Sequence, residues 1–227
     1  MNRSVSLSFM LLGILFSVCL ILSNLLATKA ISIFGFSATA GLIIFPISYI
    51  MNDAIVELWG YRKARLIIWI AFAMNFMVIV FLQLSVKMTP APYWDGQEAY
   101  ARTFSQTPRV ACASLFAFLF GSFINAYVMS RMKIRTQGKG FGVRVVVSTL
   151  FGEAADSFLF FSVAFAGIFA WKDIFIMMVV ETFLKSAYEV VILPVTTAVV
   201  RYIKRTEQTD VYDEGISYHV LKIGEVS

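Results

Sequence analysis

Residues 66–84 are apolar on every side apart from Asn75 and Gln83, and stretches of the same kind recur along the chain. A helix rises about 1.5 Å per residue and the hydrocarbon layer is about 30 Å thick, so a run of roughly 20 such residues is what a bilayer crossing requires. With 59% hydrophobic and only 15% charged residues in 227, and a mean hydropathy of +0.78, the chain carries more apolar side chain than one soluble domain of its size buries. Membrane β-strands would show shorter segments of strict alternation, which these runs lack. The fold class read from this pattern is an all-α, polytopic membrane protein. It has six transmembrane helices at about 7–27, 38–57, 64–84, 110–130, 143–169 and 174–200, so that 1–203 form the transmembrane domain and 204–227 a polar tail.

Charge placement supports that division. The net charge of +5 comes from short basic clusters between spans rather than one basic and aromatic surface, so nucleic acid is not the expected partner and the lipid bilayer is. On the six-span assignment thirteen Lys and Arg residues fall on one side and five on the other. The positive-inside rule then puts both termini in the cytoplasm and requires an even number of spans. Residues 7–26 are too long for a signal-peptide core, and Lys29 stands where small cleavage residues would be, so the first span reads as retained in the inner membrane. Cys19 and Cys112 lie in apolar segments and read as two unpaired buried thiols, with no zinc or redox spacing. The connection 86–109 holds Pro90, Pro92, Tyr93 and Trp94 and a short amphipathic piece at 98–104, read as an interfacial anchor or an outer lid.

Six carboxylates interrupt the apolar background: Asp53, Glu57, Glu153, Asp156, Glu181 and Glu189. Left ionised and facing lipid, they would cost on the order of 15 kcal/mol together. They must therefore line a polar interior, be paired, be protonated, or sit near the cytoplasmic edge. Glu181, Lys185 and Glu189 recur every four residues and share one face of the last span, either as an ion network or as a stripe along a solute pathway. Asp156 lies about 18 Å along the helix from Arg144, near the midplane, with Glu153 three residues before it. Gly152 reads as a point of close helix approach. Glu57 is close enough in sequence to pair with Arg62 or Arg65, whereas Asp53 is one turn deeper. Pro46 predicts a kink within the second span. Asn24, Asn75, Gln83 and Asn125 are amides inside spans, ordinarily packing bonds.

An intramembrane enzyme has no support in motifs. Neither a Gly-x-Ser-x-Gly elbow nor a His-Glu-x-x-His pair occurs, and the single histidine, His219, falls in the tail. No catalytic residue, cofactor or metal is assigned.

In combination, Ser23-Asn24 with Lys29, Phe45-Pro46 followed by Asp53, Gly60 and Ala64-Arg65, Ser148-Thr149-Leu150-Phe151-Gly152 followed by Asp156-Ser157, and Glu181 with Lys185 and Pro194 resemble the queuosine-precursor transporters, a family formerly catalogued among vitamin uptake transporters. The resemblance covers most of the chain. It implies a fold similar to the substrate-binding components of vitamin importers. It also implies uptake of 7-cyano-7-deazaguanine and 7-aminomethyl-7-deazaguanine for tRNA queuosine synthesis, by a secondary and proton-coupled route or, alternatively, with a separate ATPase module. A guanine-like edge offers two adjacent N–H donors that one carboxylate can accept as a fork. On this resemblance Asp156 and Glu181 are expected to recognise the base, Lys185 to be their charge partner or a donor to the carbonyl, and Asn24 and Asp53 to be pathway or gating groups. Glu153 and Glu189 belong to the same candidate site with less defined roles, and Phe45, Tyr49 and Tyr188 are available for stacking. A homodimer is the expected assembly.

Overall fold

The computed structural model describes residues 6–33, 36–105 and 108–222, and the architecture follows from how the chain reverses. Helix α1 (Leu7–Leu26) starts at Ser6, whose hydroxyl accepts from the Phe9 N–H at 3.2 Å and so satisfies one of the first-turn donors. A two-stranded antiparallel hairpin, β1 (Ala30–Ile33) and β2 (Phe36–Thr39), leads into a 3-10 turn over Ala40–Ile43. Helix α2 follows (Phe45–Lys87), then a short α3 (Gln97–Phe104), and then α4 (Pro108–Arg135), α5 (Phe141–Phe165) and α6 (Trp171–Glu207).

Helix α2 is two arms joined at Gly60, whose φ of 80° and ψ of 173° only glycine adopts readily. Contacts with α1 give the arms opposite directions. Gly41, just before the first arm, lies against Ser23 near the end of α1. Trp59 stacks edge-on to Phe9 at the start of α1, and Asn75 in the second arm returns to Asn24. Counted this way, the described residues make six helical passages along one bundle: α1, the two arms of α2, α4, α5 and α6. Ser6 donates to the Glu207 carboxylate at 2.5 Å, so the start of α1 and the end of α6 share one end of the bundle, hereafter the tail end.

Among the described residues, four helical stretches are long and apolar enough to cross a membrane: Leu7–Leu26, Ala40–Lys87, the one that contains Pro108–Arg135, and Phe141–Phe165. The second of these contains both arms of α2. Helix α6 is long enough but carries Glu181, Lys185 and Glu189, which lower its hydropathy.

Several boundaries differ from expectation. The second helix begins at Phe45 rather than residue 38, because 36–39 pair with 30–33 as strands. Pro46 stands in the first turn, where a missing N–H removes no helical bond, and so it starts the helix instead of kinking it. Helix α5 stops at Phe165, just before Gly167, which takes a φ of 79°. Cys19 is buried, but Cys112 is exposed on the outside of α4, so only one of the two thiols is in the protein core.

The tail is not a free polar extension. Residues 210–220 lie across the tail end of the bundle, where Asp213 accepts from the Tyr61 N–H at 2.8 Å and from Ser130 at 2.6 Å. Arg65 donates to the carbonyls of Ser217 and His219, and the Trp69 indole donates to that of Val220. Helix α3 folds against the other end of α2, with Gln83 donating to the Phe104 carbonyl and Gln97 to that of Val86.

Candidate functional site

Helices α4 and α5 make the tightest crossing, and it fixes the position of every acid on α5. A Cβ added at Gly152 would come within 2.7 Å of the Asn125 Cβ and 3.0 Å of the Gly121 carbonyl, and one at Gly121 would meet the Gly152 carbonyl at 3.0 Å. Both glycines are therefore required by backbone approach, as read for Gly152 from the sequence. The crossing presents Glu153 and Asp156 to α6.

There Lys185 gathers three carboxylates. Its ammonium lies 3.1 Å from Glu153, 3.2 Å from Asp156 and 3.3 Å from Glu181. It also stands 4.0 Å from the centre of the Phe45 ring, close enough for a cation–π contact. Three acids around one base leave an excess of negative charge when all are ionised. Burial is graded across the group: the side chain of Glu153 is 1% exposed, that of Asp156 9%, and that of Glu181 33%. Glu181 thus opens the cluster to the exterior, while both Glu153 oxygens lack a hydrogen bond of ordinary geometry.

One turn toward the tail end lies a second polar layer. Asp53 accepts from Ser148 at 3.3 Å and from Thr149 at 3.5 Å, and the Glu189 carboxyl is buried beside Asp53 with neither oxygen in a hydrogen bond of ordinary geometry. Asn125 accepts from Asn52 at 2.8 Å and donates to Thr149 at 3.4 Å. Tyr49, 5.6 Å from Phe45 ring to ring, places its buried hydroxyl within electrostatic reach of Asp53, Glu153, Asp156 and Glu189.

A third layer closes the tail end. Glu57 accepts from Arg144 at 2.7 Å and from Lys204 at 2.6 Å, with Lys133 at 4.0 Å. Its cations come from α4, α5 and α6 rather than from neighbouring Arg65, which serves the tail carbonyls instead. Lys133 and Lys204 also hold Asp210, at 2.6 and 2.9 Å. Partial burial opposes ionisation of Asp210, but the hydrogen bonds and charge of the two lysines outweigh it and hold the carboxyl below its ordinary range. Nothing in the sequence marked Lys133, Arg144, Lys204 and Asp210 as one network, since about 60 positions separate the first two from the last two and only helix packing joins them to Glu57.

Of the candidate residues read from the sequence, the structure brings together Phe45, Asp53, Glu153, Asp156, Glu181, Lys185 and Glu189. Tyr188 is half-buried on α6 beside them in sequence. Asn24 belongs elsewhere: it donates to Asn75 at 3.3 Å, accepts from Ser114 at 2.8 Å, and borders a hollow of about 20 Å³ between α1 and the second arm of α2.

The family described as "Putative vitamin uptake transporter" matches residues 39–199, more than half of the chain and all three polar layers except Lys204 and the tail. The "Probable queuosine precursor transporter" of Bacillus subtilis (strain 168) is 29% identical over 189 residues, 82% of either chain. The "Queuosine precursor transporter" of Escherichia coli (strain K12) is 30% identical over 143 residues, 63% of this chain and 62% of its own. The "Probable queuosine precursor transporter" of Haemophilus influenzae is 32% identical over 142 residues, 63% of this chain and 58% of its own. The chain thus spans less than two thirds of the length of these last two relatives. No solved structure matches.

Proposed function

The chain belongs to the putative vitamin uptake transporter family, and on that premise we propose that it imports queuosine precursors, 7-cyano-7-deazaguanine and 7-aminomethyl-7-deazaguanine, across the cytoplasmic membrane. It crosses that membrane six times, with both termini inside, and works as a secondary, proton-coupled carrier, paired as a homodimer. The even number of helical passages and the shared end of α1 and α6 support this topology.

The observation that carries the reading is Lys185 held among Glu153, Asp156 and Glu181. A soluble-protein ion pair ordinarily balances its charges; this one leaves carboxylate in excess beside an aromatic ring. A 7-deazaguanine base meets those terms. Its ring N–H and exocyclic amine can be accepted together by the Asp156 or Glu181 carboxylate, its carbonyl can accept from Lys185, and Phe45 offers a stacking face. The aminomethyl form brings a cation that the surplus acid accommodates. Glu181, the most exposed of the three acids, is the first that an entering base meets, and Asp156 is deeper.

Purified protein reconstituted in liposomes tests this reading. Uptake of a labelled 7-deazaguanine base without any added ATPase component is expected, along with thermal stabilisation by that base and not by pyrimidines, because a ligand that binds only the folded state raises its stability. Absence of both effects in folded, correctly inserted protein rejects the assignment.

A further inference from the structure

We propose that Asp53 and Glu189 form a carboxyl pair that holds one coupling proton between them, in a site separate from the cluster around Lys185. The inference rests on the transport reading above and names the group through which the proton gradient would act.

The geometry has three parts. First, the two carboxyls come from different helices, α2 and α6, and are buried side by side at 0% and 1% exposure, with both Glu189 oxygens cut off from any ordinary hydrogen-bond donor. Two ionised carboxylates in contact, away from water, repel strongly, whereas one shared proton turns the contact into a hydrogen bond and leaves a single charge. The hydroxyls of Ser148 and Thr149 then donate to what remains ionised.

Second, the cations next along the helices are already committed. On α6, Lys185 stands one turn away but is held by Glu153, Asp156 and Glu181. On α5, Arg144 lies one turn from Ser148 and is bound to Glu57, as is Lys204 from farther along α6. Helix α4 contributes the neutral amide of Asn125, and α2 contributes Glu57 and Tyr49 one turn to either side of Asp53.

Third, the Tyr49 hydroxyl is buried without a hydrogen-bond partner, although it feels the charge of both acid groups, Asp53 and Glu189 as well as Glu153 and Asp156. An unpartnered hydroxyl near two acid groups is unfavourable in a static core and suited to passing or receiving a proton.

Loss of the proton would place two negative charges in contact and drive Glu189, and with it α6, away from α2. Lys185 rides on the same helix one turn away, so that displacement alters the cluster that holds the base. Proton release and base release are thereby linked through one helix. The proton enters and leaves as such, with no bond made or broken other than its own to a carboxyl oxygen.

The test uses full-length protein in liposomes containing an entrapped pH-sensitive dye, with a labelled 7-deazaguanine base as probe. An inward acid gradient of one pH unit is expected to raise wild-type uptake about tenfold, the limit for one proton per base, with internal acidification in step with uptake. In Glu189→Gln and Asp53→Asn, each neutral and close in shape to the original, the ratio of uptake with and without the gradient is expected to fall to about one. A variant that keeps the wild-type ratio overturns the proposal, as does wild-type uptake driven by a sodium gradient instead. A variant that folds and inserts yet shows no base exchange at all assigns the pair to the base site, which also overturns it. The dye signal needs only wild-type protein, so base exchange without acidification overturns the proposal even if neither variant folds. No exchange in the wild type removes the transport reading itself, an outcome distinct from exchange without proton movement.

Discussion

Lys185 Nζ stands 3.2 Å from Asp156 Oδ2, joining α6 to α5 at a point where neither side chain is more than one tenth exposed. The ammonium is the central charge of its group, and removing it leaves three carboxylates facing one another. Lys185→Met is therefore expected to destabilise the folded protein by roughly 3–5 kcal/mol, since breaking a buried pair strands the charges left behind. Thermal unfolding in detergent measures this. Asp156→Asn should cost less stability yet abolish base uptake, as should Glu181→Gln, and unchanged uptake in both would remove the cluster from the transport pathway.

The break at Gly60 predicts a sharp sensitivity. Alanine there must adopt a φ of 80°, and its Cβ would come 2.5 Å from Asp213 Oδ1. Gly60→Ala is expected to lose about 1–3 kcal/mol from backbone strain and to loosen the tail. Asp213→Ala leaves the Tyr61 N–H without its acceptor, with a loss of about 1–3 kcal/mol. Because the two changes act on one contact, the double variant should fall short of their sum, which a double-mutant cycle would read directly.

At the crossing of α4 and α5, Gly152→Leu must separate the helices or displace Tyr49 and Asn125. Overpacking of this kind typically costs about 1–3 kcal/mol. Loss of base-dependent stabilisation should accompany it, since Glu153 and Asp156 lie on the same helix. A crosslink between cysteines placed across α4 and α5 would report the widened spacing.

Asp210 gives the tail a pH dependence of definite sign. Its carboxyl is held below the ordinary value of 3.8 in the folded protein, so the folded state binds its proton less readily than the unfolded state does. The contribution is complete above the ordinary value and is lost as the pH falls through the lower folded-state value. Wild-type melting temperature should therefore drop more steeply than that of Asp210→Asn as the solution is acidified below about pH 4. Parallel curves would show that Lys133 and Lys204 do not act through this residue.

The repeat of long apolar runs makes the helical bundle legible, because a run that fits the hydrocarbon layer can do little else. The four-residue spacing of Glu181, Lys185 and Glu189 likewise puts them on one face of α6 by helical periodicity alone, and the acids of α5 stand out in the sequence as out of place in lipid. The hairpin at 30–39 is hidden, since two short strands without strong alternation pass for the connection between the first two spans, with 38 and 39 taken into the second. Long-range pairing is hidden too. Glu57 lies close to Arg62 in the chain, and local proximity points there, yet Arg144 and Lys204 reach it from helices that only the packing brings near. The tail carries no motif because many of its contacts are made by backbone carbonyls, which every residue possesses.

The clasp between Asp213 and Tyr61 spans 152 positions of the chain. A ribosome delivers Gly60 well before Asp213, so the bend between the two arms of α2 must wait, unlatched, while the residues between them are made. Closure of this end of the bundle thus waits on the arrival of Asp213, and a nascent chain halted before that residue would sit in the bilayer with its helices present and this end unfastened.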